Sequence, residues 1–139
     1  MKRPNQNRGA VMDDNSIVVR LYRDTNGFLM VPCTVEISSG AASMPYRFDL
    51  VLNTGRPVSN LSLEVRDVLA GLDVLDEIAP QLYRIRGVRM SEQPMPPLIA
   101  RASRGPRLLG FDGMLGLQFL DQFAEVCYDR AARLLRLKR

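Results

Sequence analysis

The stretch that most restricts how this chain can fold runs from Phe48 to Ser59, reading Phe-Asp-Leu-Val-Leu-Asn-Thr-Gly-Arg-Pro-Val-Ser. Leu50-Val51-Leu52 is a short apolar run that suits a buried strand. It breaks at Asn53-Thr54-Gly55, a small polar cluster closed by glycine. Gly55 lets the backbone turn sharply and approach another chain closely. A buried strand therefore delivers a polar turn at its end.

The sequence upstream reads as strands. Ser16 to Tyr22 is rich in β-branched and aromatic residues, and Asp24-Thr25-Asn26-Gly27 carries the Asn-Gly hairpin signal. From Phe28 to Ser38, Val31, Cys33, Val35 and Ile37 alternate with Pro32, Thr34 and Glu36, which predicts a second strand. Pro32 places that strand at an edge or a bulge. Ser39 to Ser43 reads as a loop, and Tyr46 to Leu52 as the third strand. After the tripeptide, Ser62 caps a short helix ending near Gly71, with Leu61 packing back on it.

The middle is less legible. Leu72 to Ala79 mixes apolar and acidic residues, Leu82 to Met90 alternates as a strand, and Pro94, Pro96 and Pro97 interrupt before Leu98 to Ala102 resumes. A second block follows, Gly113-Met114-Leu115-Gly116-Leu117-Gln118-Phe119-Leu120. Leu115, Phe119 and Phe123 have the four-residue spacing of one helical face. Gln118 to Arg139 reads either as one basic helix or as two strands, Ala124 to Asp129 and Arg133 to Leu137, about a turn at Arg130-Ala131-Ala132.

Composition removes several chemistries. The 139 residues include no histidine, which excludes Ser-His and Cys-His catalysis and the commonest metal ligand. Cys33 and Cys127 have no metal-type spacing and read as buried thiols. No cofactor and no metal is expected. The net charge of +4 comes almost wholly from arginines scattered along the chain, which favours a solvated basic surface over a nucleic-acid stripe. At 6% aromatic residues the chain also offers few stacking platforms for bases. No apolar run is long enough to cross a bilayer, and Met1 to Ser16 lacks the apolar segment of a secretory signal, so a cytoplasmic protein without membrane partners is expected. Residues 1–15 read as a flexible arm and residues 16–139 as one domain.

An apolar strand running into x-Thr-Gly, followed by Gly-hydrophobic-Leu-Gly and then Phe-Leu, resembles the retropepsin-like aspartic proteases over roughly Val31 to Leu137. Val31-Pro32-Cys33-Thr34-Val35 and the ending Tyr128-Asp129, turn, Arg133-Leu134-Leu135 fit the same pattern, and the resemblance decides for strands at that end. It implies an all-β fold, a small closed β-barrel with one or two short helices. It also implies a homodimer in which two copies of the tripeptide build one cleft for a peptide or protein. Catalytic positions fall on Asn53, Thr54 and Gly55, and substrate contacts on Arg56, Gly87, Asp112 and Gly113. Gly87 stands in the region where the family has its flap, here with three prolines.

The family's tripeptide is Asp-Thr-Gly, and this chain holds Asn53 at the carboxylate position and Arg56 where a small residue is usual. Two carboxylates sharing one proton drive the family's chemistry, and a homodimer of this chain has two amides instead. Three readings follow. One is a natural pseudoprotease, inactive, acting as a peptide-binding and dimerisation module. Another is an aspartic endopeptidase whose Asp was exchanged for Asn to trap an inactive form. The last is a small basic β domain binding nucleic acid or an acidic partner, with nucleic acid the less favoured. Arg56 either binds an acidic ligand, points to solvent, or pairs with Asp49 or Asp112. Asp112, before Gly113, reads chiefly as a turn residue. Gly55 and Gly113 are expected to be structurally demanding, and Ser59 is not.

Overall fold

The computed structural model describes residues 16–39 and 42–139. The expected arm, 1–15, lies outside the described residues, as does the tip of the first long hairpin. The chain opens with β1 (Ser16–Arg20) and β2 (Tyr22–Arg23), turns at Asp24–Gly27, and enters β3 (Leu29–Ser39) and β4 (Ala42–Leu52). The turn is made by Asp24, whose Oδ1 accepts from the N–H groups of Asn26 and Phe28, both at 2.9 Å, with Gly27 at φ 87°. The β3–β4 hairpin is longer than the alternation predicted, because Met44 and Pro45 pair with Ile37 and Glu36.

β5 (Ser59–Ser62) runs directly into α1 (Leu63–Gly71). Ser62 is the expected cap, accepting from Val65 N–H at 3.1 Å. β5 itself was not apparent in the sequence, where Leu61 reads as a helix staple; it is a central strand with Leu61 fully buried. The middle of the chain resolves into two hairpins, β6 (Leu75–Ala79) with β7 (Leu82–Ile85), and β8 (Arg89–Met90) with β9 (Gln93–Pro94). The expected continuous strand from Leu82 to Met90 is broken at Gly87, which takes φ 73°. Then come β10 (Leu98–Ser103), the short α2 (Gly105–Leu108), β11 (Gly113–Leu115), the single-turn α3 (Leu117–Leu120), β12 (Glu125–Asp129) and β13 (Leu134–Lys138).

The larger sheet has the order β6-β7-β10-β5-β11-β4-β3-β8-β9, with β2 on β3, and the smaller is β1-β13-β12. β4 and β11 run parallel, as do β5 and β10. Among the described residues neither sheet closes into a barrel, which corrects the expected closed β-barrel. The open ends have a physical cause. β6 carries Asp76 and Glu77 and a register shift, and β9 ends in Pro94, which has no N–H to donate. Pro32 fits its strand for a related reason: β2 pairs with Leu29 and Met30 and β8 with Thr34, leaving Pro32 in the gap between them.

The main core lies under both sheets and includes Val19, Val31, Cys33, Phe48, Leu50, Leu61, Leu115, Leu135 and Leu137. Burial pushes the Cys33 thiol well up, so it stays protonated and inert. Cys127, also expected to be buried, is exposed instead, because β12 is an edge strand beyond the core. A second small cluster, Met30, Val51, Phe111 and Met114 with Tyr22 against it, covers the other face of the β3–β4 hairpin. Leu115, Phe119 and Phe123 are all buried as their spacing suggested, although only Phe119 lies in α3. β13 is filled on both edges by β1 and β12. It therefore presents no free edge to a second chain, and the edges of that sheet are β1 and β12.

Candidate functional site

The polar turn hangs from the end of β4 by a closed set of backbone bonds. Asn53 N–H donates to Leu115 O at 2.9 Å, continuing the parallel β4–β11 ladder. Arg56 N–H donates to Asn53 O at 3.2 Å, which makes 53–56 a four-residue turn. Inside it Gly55 N–H donates to Asn53 Oδ1 at 3.0 Å. That bond fixes the amide, since only its oxygen can accept. Asn53 Nδ2 is left facing Met114 Sδ at 3.9 Å, a weak acceptor.

The second block clasps the turn from below. Leu117 N–H donates to Arg56 O at 2.7 Å and Gln118 N–H to Pro57 O at 2.8 Å, so the first amides of α3 are consumed by the loop. Gly116 N–H donates to Ser59 Oγ at 2.8 Å, and Ser59 is 1% exposed. A Cβ on Gly116 would lie 2.8 Å from Val58 C and 2.9 Å from Arg56 O. The two glycine-bearing blocks thus form one tightly interlocked unit.

Thr54, Gly55, Arg56 and Pro57 are exposed at the top of this unit. Arg56 joins no carboxylate among the described residues. Both carboxylates considered for it are engaged elsewhere. Asp49 pairs with Arg47 at 2.8 Å and accepts from the Tyr22 hydroxyl, which burial and then Asp49 hold above its ordinary pKa and so protonated. Asp112 Oδ2 accepts from Asp49 N–H at 2.9 Å, and its Oδ1 lies 4.0 Å from Arg107 Nη1.

Asp112 thus buttresses β4 four residues short of Asn53, while its carbonyl accepts from Ser62 N–H at 2.8 Å. Gly113 sits opposite Leu50, where a Cβ would fall only 2.3 Å from Asn60 O. Gly87 lies at the bend into β8. Its neighbour Arg89 pairs with Thr34 and so sits level with Arg47, roughly 20 Å along the hairpin from Asn53. The residues that do reach the turn include Met114, Leu115, Leu117 and Gln118, with Gly116 and Ser59 bonded beside it. The second glycine of the Gly-Met-Leu-Gly motif was the available signal for this, and nothing local marked Ser59.

No family model and no curated protein matches the chain. Among solved structures it is similar to the crystal structure of a retropepsin-like aspartic protease from Rickettsia conorii, with a TM-score of 0.53 and 16% identity over 88% of this chain and 89% of that one. The fold is that of a retropepsin-like aspartic protease. In this retropepsin-like fold the Asn53 amide can donate and accept hydrogen bonds, but it cannot take a proton from water at neutral pH.

Ser59 provides a test of the clasp. Ser59→Ala strands the buried Gly116 N–H without an acceptor and is expected to destabilise the chain by about 1–3 kcal/mol, read as a shift in the urea midpoint. An unchanged midpoint would mean that the bond contributes nothing.

Proposed function

We propose that the chain is a homodimeric retropepsin-like domain that binds an extended peptide without cleaving it. One observation carries the reading: the turn keeps its full backbone framework, while the position that would supply a general base bears an amide whose oxygen is committed to Gly55 N–H. An amide there can orient a peptide or a water and cannot activate the water.

Two features support the dimer. The exposed turn reads as half a cleft, with no opposing wall among the described residues. The inner face of the small sheet also runs past its core. Val126 and Tyr128 pair with the buried Leu137 and Leu135 yet are 40% and 36% exposed. The free edge of β12 beside them is the strand we assign to the interface. Arg56 favours natural loss of activity over a single exchanged residue, because a cation beside the site departs from the family independently of Asn53.

The chain is expected to sediment as a dimer at micromolar concentration, to bind unstructured peptides, and to leave them intact over long incubation. A monomer at high micromolar concentration contradicts the dimer. Cleavage by the native chain contradicts the assignment of the site.

A further inference from the structure

Resting on that peptide-binding reading, we infer that the cleft selects peptides that present a carboxylate, and that Arg56 is the residue that reads it. The turn geometry puts Arg56 in position. In a hydrogen-bonded four-residue turn the first and last Cα atoms lie within about 7 Å, so the Arg56 side chain spans the distance to anything held at Asn53. Its backbone does not drift, because Arg56 N–H is held by Asn53 O at 3.2 Å and its carbonyl by Leu117 N–H at 2.7 Å.

The charge at the turn points the same way. Arg56 is exposed, and the two candidate internal partners are taken: Asp49 by Arg47 at 2.8 Å, Asp112 by Asp49 N–H at 2.9 Å. The turn itself carries no carboxylate, since Asn53 is neutral. In the dimer the cleft floor therefore brings two guanidinium groups and no acid. A guanidinium offers a planar fork of donors that matches a carboxylate, and a partly desolvated ligand strengthens the pairing. Asn53 Nδ2, which among the described residues faces the weakly accepting Met114 sulfur, remains available to donate to a peptide carbonyl. A floor of this kind attracts acidic peptide where a pair of carboxylates would repel it.

The test uses the full chain and fluorescein-labelled octapeptides of one apolar sequence, amidated at the C-terminus, with Glu, Gln or Lys at the centre. A further Gln peptide has a free C-terminus. Binding is read by fluorescence polarisation. The Glu peptide is expected to bind at least about tenfold tighter than its Gln twin, and added salt should narrow the gap. Arg56→Ala should abolish the difference between the Glu and Gln peptides, and Arg56→Lys should restore part of it. Preference for the free C-terminus alone supports a carboxylate ligand and assigns it to the peptide end. Equal binding of the Glu peptide and both Gln peptides, amidated and free, or a preference that survives Arg56→Ala, overturns the inference and leaves the cleft reading standing. So does Arg56-dependent binding of a short oligonucleotide with no acidic-peptide preference. Failure of all four peptides to bind an intact dimer overturns the cleft reading, and this inference with it.

Discussion

Replacing Gly116 or Gly113 with valine is expected to lower the thermal midpoint by about 15 °C or more, while Gly55→Ala leaves it nearly unchanged. The difference follows from what a new side chain meets. At Gly113 a Cβ falls 2.3 Å from Asn60 O and 2.8 Å from Leu50 Cδ2, and at Gly116 it falls 2.8–3.0 Å from three backbone atoms of the loop. None of those backbone atoms can swing away, because each belongs to the β5 ladder or the clasp around the turn. Forcing β11 out from between β4 and β5 costs about 4 kcal/mol or more, and a domain of this size loses about 4 °C per kcal/mol. Gly55 differs, since its Cβ would meet only Asn53 Oδ1 at 3.3 Å and its φ is not in the left-handed region. Within one chain nothing demands glycine there, which corrects the expectation drawn from the sequence. If Gly55 is demanded at all, a second chain demands it, and Gly55→Ala should then weaken the dimer without melting the fold. Differential scanning calorimetry beside sedimentation separates the two, and equal small effects at all three glycines would refute the clasp.

Asn53→Asp by itself is expected to leave the chain a poor protease, and Asn53→Asp with Arg56→Ala is expected to cleave peptides at least about a hundredfold faster than the native chain. The reasoning concerns proton sharing. A productive pair of carboxylates needs one member protonated and one ionised, which mutual repulsion enforces. A guanidinium one turn away favours the ionised form of each carboxylate, so both stay charged to lower pH and the shared proton is lost. Removing Arg56 lets the pair titrate as a coupled unit, with cleavage on the acidic side. Any activity of the single variant should peak at lower pH than that of the double variant. Full activity from Asn53→Asp alone would instead favour an endopeptidase disabled at one residue.

Much of this architecture could be read from local pattern. The Asn26-Gly27 turn, the alternation of Val31, Cys33 and Val35, the Ser62 cap and the two glycine blocks each announce themselves within a few residues. The misreadings share a cause: the deciding partner lies far away in sequence. Ser59 looked dispensable because its value depends on Gly116, 57 positions on. β6 gave no alternation because Asp76, Glu77 and Ile78 are not sorted between a buried and an open face. β8 and β9 turn through Ser91 and Glu92 at φ 49° and 65°, with no glycine to mark the bend. The turn at Asn53 could be read locally, whereas Gly87 and Asp112 take their positions from sheet register, which no local pattern carries.

The placement of β13 between β1 and β12 has a consequence for how the molecule comes to exist. Ile17 and Val19 of β1 pair with Leu137 and Leu135 of β13, so a strand that leaves the ribosome must wait for a partner encoded far downstream. During that interval β1 has no native neighbour in its own sheet, and its apolar face must remain uncovered or be shielded by a chaperone. The large sheet has no such delay in its β3–β4 hairpin, which can form as soon as both strands emerge. Assembly is therefore expected to proceed from the hairpin outward, with the small sheet closing last and joining distant parts of the chain.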